Sequence, residues 1–82
     1  MVETRIAPRH KVNKPATIEY GALKQPCIVR DISMTGAALE FSAQIRAIRL
    51  PERFSLVVPE DKLRLPCRVA WHREYRMGVT FE

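Results

Sequence analysis

Five residues of this 82-residue chain combine types and spacings that could do chemistry together: Arg5, Arg9, Asp31, Ser33 and Gly36. Arg5 and Arg9 stand four positions apart near the N-terminus, with Pro8 stiffening the backbone between them. Two guanidinium groups so placed can approach one ligand from two sides. Each offers five donors in a planar fork, which suits a phosphate or the O6/N7 edge of guanine and can also stack on a purine face. Asp31 adds what arginine lacks, an acceptor for the donors on guanine's opposite edge. Ser33 can bond a phosphate or cap a turn, and Gly36 permits a positive φ or close approach of a ligand to the backbone. The set suits a ligand carrying both guanine and phosphate. Taken without the arginines, Asp31, Ser33 and Gly36 have a simpler reading, a hairpin turn closed by an Asx-type side-chain bond.

Positioning these residues falls to strands. Period-two alternation dominates the chain, most clearly in Leu63, Leu65, Cys67, Val69 and Trp71, which share one face opposite Arg64, Pro66, Arg68, Ala70 and His72. This predicts a long half-buried strand, with Pro66 at an edge or bulge and Trp71 in the core. Met77, Val79 and Phe81 repeat the pattern, and the tight link between the two runs predicts a C-terminal hairpin. Upstream, Ala16, Ile18 and Tyr20 alternate, as do Ala37, Leu39 and Phe41, and Phe54, Leu56 and Val58. In the run from Cys27 the phase slips before Ile32, which predicts a bulge. Residues 44–49 could make one helical turn, stopped by Pro51. Six short strands without a long helix predict an all-β fold, a small six-stranded antiparallel barrel that removes its exposed edges by closure. Residues 14–82 form this barrel, and residues 1–13, basic and without alternation, are expected to be a flexible arm leading into it.

The two polar groups and the tail resemble a known family. Arg5-Ile-Ala-Pro-Arg9 matches the RxxxR motif of PilZ domains, and Asp31-Ile-Ser33-Met-Thr-Gly36 matches their [D/N]xSxxG motif, in the same order and separated by one strand. The stretch from Cys67 to Phe81 is similar to the family's closing hairpin, with Trp71 and a Gly-Val-x-Phe ending. The resemblance spans nearly the whole chain. It implies a six-stranded barrel that binds cyclic di-GMP, a bacterial second messenger. Arg5 and Arg9 would clamp guanines and phosphates, Asp31 would meet a guanine edge, Ser33 would contact the ligand and Gly36 would shape the turn. Many members carry a further arginine before the first motif residue, where this chain has Thr4. That position affects stoichiometry, so one or two ligand molecules per site both remain open. Many members also continue into a helix, which is not expected here because the chain stops at Glu82.

The remaining features narrow the class. A formal net charge of +5, from 14 Lys and Arg against 9 Asp and Glu, favours anionic partners. No apolar run approaches the roughly 20 residues that span a bilayer, and no signal peptide is evident, so a cytoplasmic location is expected. Cys27 and Cys67 are too few and too far apart for a zinc site and read as reduced, inward thiols. Neither paired carboxylates nor a nucleophile motif is present, so no enzyme, metal or cofactor is expected. Arg30 and Arg68 read as solvated strand residues, His10 as a surface histidine and His72 as a strand end. Three functions compete: a cyclic di-GMP sensor that signals to a downstream protein, a basic barrel that binds nucleic acid, and a PilZ-like adaptor acting by protein contact alone. Only 7% of residues are aromatic and most fall on inward faces, which argues against nucleic acid.

Overall fold

The alternation of the sequence becomes six antiparallel strands in the computed structural model, which describes residues 8–82. They are β1 (His10–Tyr20), β2 (Leu23–Ile32), β3 (Gly36–Glu40), β4 (Arg53–Val58), β5 (Leu63–Arg73) and β6 (Arg76–Phe81). Neighbours run in the order β1-β2-β3-β6-β5-β4, and β4 closes the barrel by pairing back to β1. Short 3-10 turns at Ile45–Ala47 and Pro59–Asp61 precede and follow β4.

The inward positions of every strand meet on the barrel axis. Ile18, Val29, Leu39, Leu56, Val58, Cys67 and Met77 are almost completely shielded, and no polar side chain is buried among the described residues. A six-stranded barrel is narrow enough for such side chains to fill it, leaving a packed core and no channel. Each fully buried aliphatic side chain contributes about 1.5–3 kcal/mol by leaving water.

The strands are unequal in length, and so parts of the barrel wall are paired on one side only. β1 pairs with β2 along nearly its whole length but with β4 only through Thr17, Ile18 and Glu19. β2 meets β3 only from Ile28 onward, and β5 meets β6 only from Cys67 onward. All three strand prolines, Pro15, Pro26 and Pro66, fall in these one-sided stretches. A residue without an N–H is tolerated there because one edge of the strand has no ladder to complete.

Three expectations need correction. β1 starts at His10 rather than at residue 14, because His10 and Lys11 are held by Ile32 and Asp31 at the far end of β2. Residues 10–13 of the expected arm are therefore strand, Val12 packs against the core, and residues 1–7 lie outside the described residues. Tyr20 and Leu63, expected inward, are exposed at 58% and 37%. Tyr20 ends its strand and Leu63 begins its own, where the barrel has no wall opposite them. Trp71 is the third. Val69 pairs with Val79 and Trp71 with Gly78, so Ala70 is an extra residue on β5, and this bulge turns Trp71 to the outside, where it is 49% exposed. The predicted bulge in β2 is present, with Arg30 the extra residue between Val29 and Asp31.

Candidate ligand-binding site

The pairing of β1 with β2 decides where the first group of polar residues goes. Lys11 lies opposite Asp31 in the ladder, so Arg9, just before the strand, arrives beside the same carboxylate. Arg9 Nη1 donates to Asp31 Oδ1. The Arg9 side chain is about half exposed and that of Asp31 about a quarter. An ion pair this open to water is worth roughly 0–1 kcal/mol, so little opposes its rearrangement around an anion. Arg5 lies outside the described residues.

Ser33 and Gly36 build the turn between β2 and β3. The Ser33 hydroxyl oxygen accepts the Thr35 and Gly36 N–H groups at 3.1 and 3.2 Å, while the Ser33 N–H donates to the Gly36 carbonyl at 2.8 Å. The hydroxyl hydrogen faces the Gly36 carbonyl at 3.3 Å or the Thr35 hydroxyl at 3.2 Å. The local role read from the sequence is therefore real, although the oxygen that closes the turn belongs to Ser33 and not to Asp31. Gly36 does not use a positive φ. Its glycine is needed because a Cβ there would overlap the Val79 carbonyl oxygen on β6. Met34, at the tip, is 87% exposed.

The sheet register extends the site across the outer surface. Asp31 pairs with Ala38, Ala38 with Gly78, and Gly78 with Trp71. All four stand in one outward row, with Lys11 at its β1 end. Adjacent strands are about 4.8 Å apart, so three steps put roughly 14 Å of backbone between Asp31 and Trp71. The two middle residues are the smallest available, and the row is a shallow shelf. At one end stand a carboxylate and a guanidinium, at the other an indole that lies over Gly78, where a Cβ would meet Trp71 Nε1. Such a shelf can offer a stacking face, an acceptor and a cationic fork to one planar, anionic ligand.

Sequence reading missed Trp71 because alternation from Leu63 carries it inward, and only the Ala70 bulge reverses it. The run contains no glycine, and its one break, Pro66, stands four residues before the bulge and does not mark Ala70.

A charged network flanks the shelf. Arg30 Nε donates to Glu40 Oε1 at 2.6 Å and its Nη1 to Asn13 Oδ1 at 3.2 Å, and Arg76 Nη2 lies 3.9 Å from the same Glu40 oxygen. The Arg30 hydrogen bond, aided by the charges of Arg30 and Arg76, holds the Glu40 carboxyl below the usual carboxylate range. Arg30 is thus a paired residue, not the solvated one expected. Arg68 is paired too, with its Nε 3.3 Å from Glu82 Oε2 but without hydrogen-bond alignment. His10 and His72 are exposed.

Cys27 and Cys67 are free and buried. Desolvation pushes the Cys27 thiol up to about 12 and the Cys67 thiol up to about 11. Neither supplies a thiolate nucleophile near neutral pH. Among the described residues no group of three His, Cys, Asp or Glu side chains is placed to hold a metal, and no helix is long and apolar enough to cross a membrane.

No curated protein matches the chain. The family model described as "PilZ domain" matches residues 3–82.

Proposed function

The chain belongs to the PilZ domain family, a family of binding and adaptor domains that are in general receptors for cyclic di-GMP, and from that membership we propose that this protein binds cyclic di-GMP and signals its presence to a downstream protein. The observation that carries the reading is the junction of Arg9 with Asp31, which joins the two polar groups of the sequence at one end of an outward shelf. Arg5 and Arg9 clamp the guanines and phosphates. Asp31 accepts from the donor edge of a guanine. Ser33, already holding the turn, contacts the ligand, and Gly36 keeps β3 close to β6. Trp71 adds a stacking face at the other end of the shelf.

The order of events follows from the energies. The ligand exchanges its phosphates for the carboxylate at Arg9, and Asp31 is released toward guanine. Because the Arg9–Asp31 pair is open to water, the exchange costs little and needs no rearrangement of the barrel itself.

Calorimetric titration with cyclic di-GMP, against cyclic di-AMP and GMP, tests the proposal. Saturable binding of cyclic di-GMP is expected, with cyclic di-AMP at least tenfold weaker because adenine lacks the donor edge that Asp31 reads. Arg9→Ala and Asp31→Ala should each weaken binding at least tenfold, about 1.4 kcal/mol, while leaving the fold intact. Equal binding of the two dinucleotides would refute the role of Asp31, and no binding of either would refute the receptor.

A further inference from the structure

Residues 44–52 form a strap between β3 and β4 that is tied to the barrel at two points. Near one end the Ile45 N–H donates to the Glu74 carbonyl at 2.6 Å, and at the other the Val69 N–H donates to the Glu52 carbonyl at 2.9 Å. Between the ties a cleft of about 390 Å³ opens at the mouth of the barrel. Ile48, Leu50 and Val69 form its apolar floor, each only partly covered by the core, and Arg46, Arg49 and His72 stand around it. A second concavity of about 370 Å³ adjoins it, sharing Arg46 and His72 and adding Arg73.

The charges of this region differ from those of the rest of the surface. Nine arginines lie among the described residues, and six of them, Arg9, Arg30, Arg53, Arg64, Arg68 and Arg76, have a carboxylate within 4.0 Å. The three that have no carboxylate partner among the described residues are Arg46, Arg49 and Arg73, and all three line this cleft or the concavity beside it. Glu52 and Glu74 also border the two hollows, but neither has an arginine or lysine within ion-pair distance among the described residues.

We propose that this cleft is a docking site for an acidic segment of a partner protein, with aliphatic side chains on Ile48, Leu50 and Val69 and carboxylates on Arg46, Arg49 and Arg73. Guanidinium groups with no carboxylate partner among the described residues, set around an apolar floor, fit a chain that is both acidic and aliphatic. A nucleic acid would satisfy the arginines, but it would leave the aliphatic floor covered by sugar and phosphate, and no Phe, Tyr or Trp lines either hollow. The inference stands apart from the nucleotide reading, since the cleft shares no residue with the shelf.

The test uses two peptides and an oligonucleotide as probes on the ¹⁵N-labelled protein. The first peptide is an acetylated decamer of alternating Glu-Glu and Leu-Leu pairs, the second has lysine for every glutamate, and the third probe is oligouridylate. The acidic peptide is expected to give saturable amide shifts at Ile48, Val69, His72 and Met77. The double variant Arg46→Glu/Arg49→Glu, both exposed, should weaken that binding at least tenfold with an otherwise unchanged spectrum. Absence of saturable shifts at these amides would overturn the proposal. So would equal binding of the lysine peptide, or tighter binding of the oligonucleotide at the same residues.

Discussion

Ala70 has no partner on β6, and the consequence falls on its neighbour. The extra residue turns Trp71, the chain's sole tryptophan, out of the core and over Gly78. Stacking of a base on an aromatic face is worth about 1–3 kcal/mol, so Trp71→Ala should weaken cyclic di-GMP binding between several-fold and about a hundredfold. The indole emission of the native protein should change on titration with the same midpoint as the heat signal. An unchanged affinity in the variant would remove Trp71 from the site. The two cysteines make the opposite case, side chains kept from water. Their thiols ionise near the ordinary 9.0 in the unfolded chain but near 12 and 11 when folded. Between those values the unfolded state binds fewer protons, so the contribution of the two thiols to stability is level below about pH 9 and falls as pH rises above it. Melting temperatures followed from neutral pH to about pH 10.5 should drop more steeply for the native protein than for Cys27→Ala/Cys67→Ala. Parallel slopes would mean the thiols are not shielded as described.

Each strand carries its own balance of local rule and neighbour. All six strands were legible because inward positions repeat every second residue, from Ala16 in β1 to Val79 in β6, and the slip before Ile32 marked the Arg30 bulge. The start of β1 was not legible. Residues 10–13 show no alternation of their own, and it is Ile32 and Asp31 that make them strand. Of the candidate site, the juxtaposition of Arg9 with Asp31 was suggested by the two spaced polar groups, while the shelf could not be read, since it exists only through the register of β2, β3, β6 and β5. Gly36 shows the same dependence: its turn chemistry suggested φ freedom, yet what it meets is the Val79 carbonyl of another strand. Gly36→Ala must push β3 away from β6, at a cost of about 1–3 kcal/mol. Thermal denaturation should show a clear loss of stability, and a loss under about 0.5 kcal/mol would mean that the two strands are not in such close approach.

At the scale of the molecule, the barrel is closed by a narrow seam. Only Thr17, Ile18 and Glu19 join β1 to β4, and residues 10–16 pair with β2 alone. The open side of that stretch carries Lys11, Lys14, a register bulge and Pro15, all of which discourage another strand from adding there. Its described link across the gap is between side chains, Lys14 Nζ to Asp61 Oδ2 at 2.6 Å. The seam also sets a hierarchy of opening. A strand held on one side gives way before the core does, so the amides of residues 10–16 should exchange with solvent through local fluctuations of lower free energy than global unfolding. Because Arg9 is anchored at the end of this stretch, a ligand held by Arg9 would compete with local opening for the same residues. Cyclic di-GMP at a hundred times its dissociation constant would then slow exchange at residues 10–16 by up to about a hundredfold, roughly 2.7 kcal/mol, where those openings release the ligand. Amide exchange followed by mass spectrometry with and without the ligand measures this directly, and equal rates in both would disconnect the seam from binding. The loosest part of the wall is thus the part on which the nucleotide would register as a gain in rigidity.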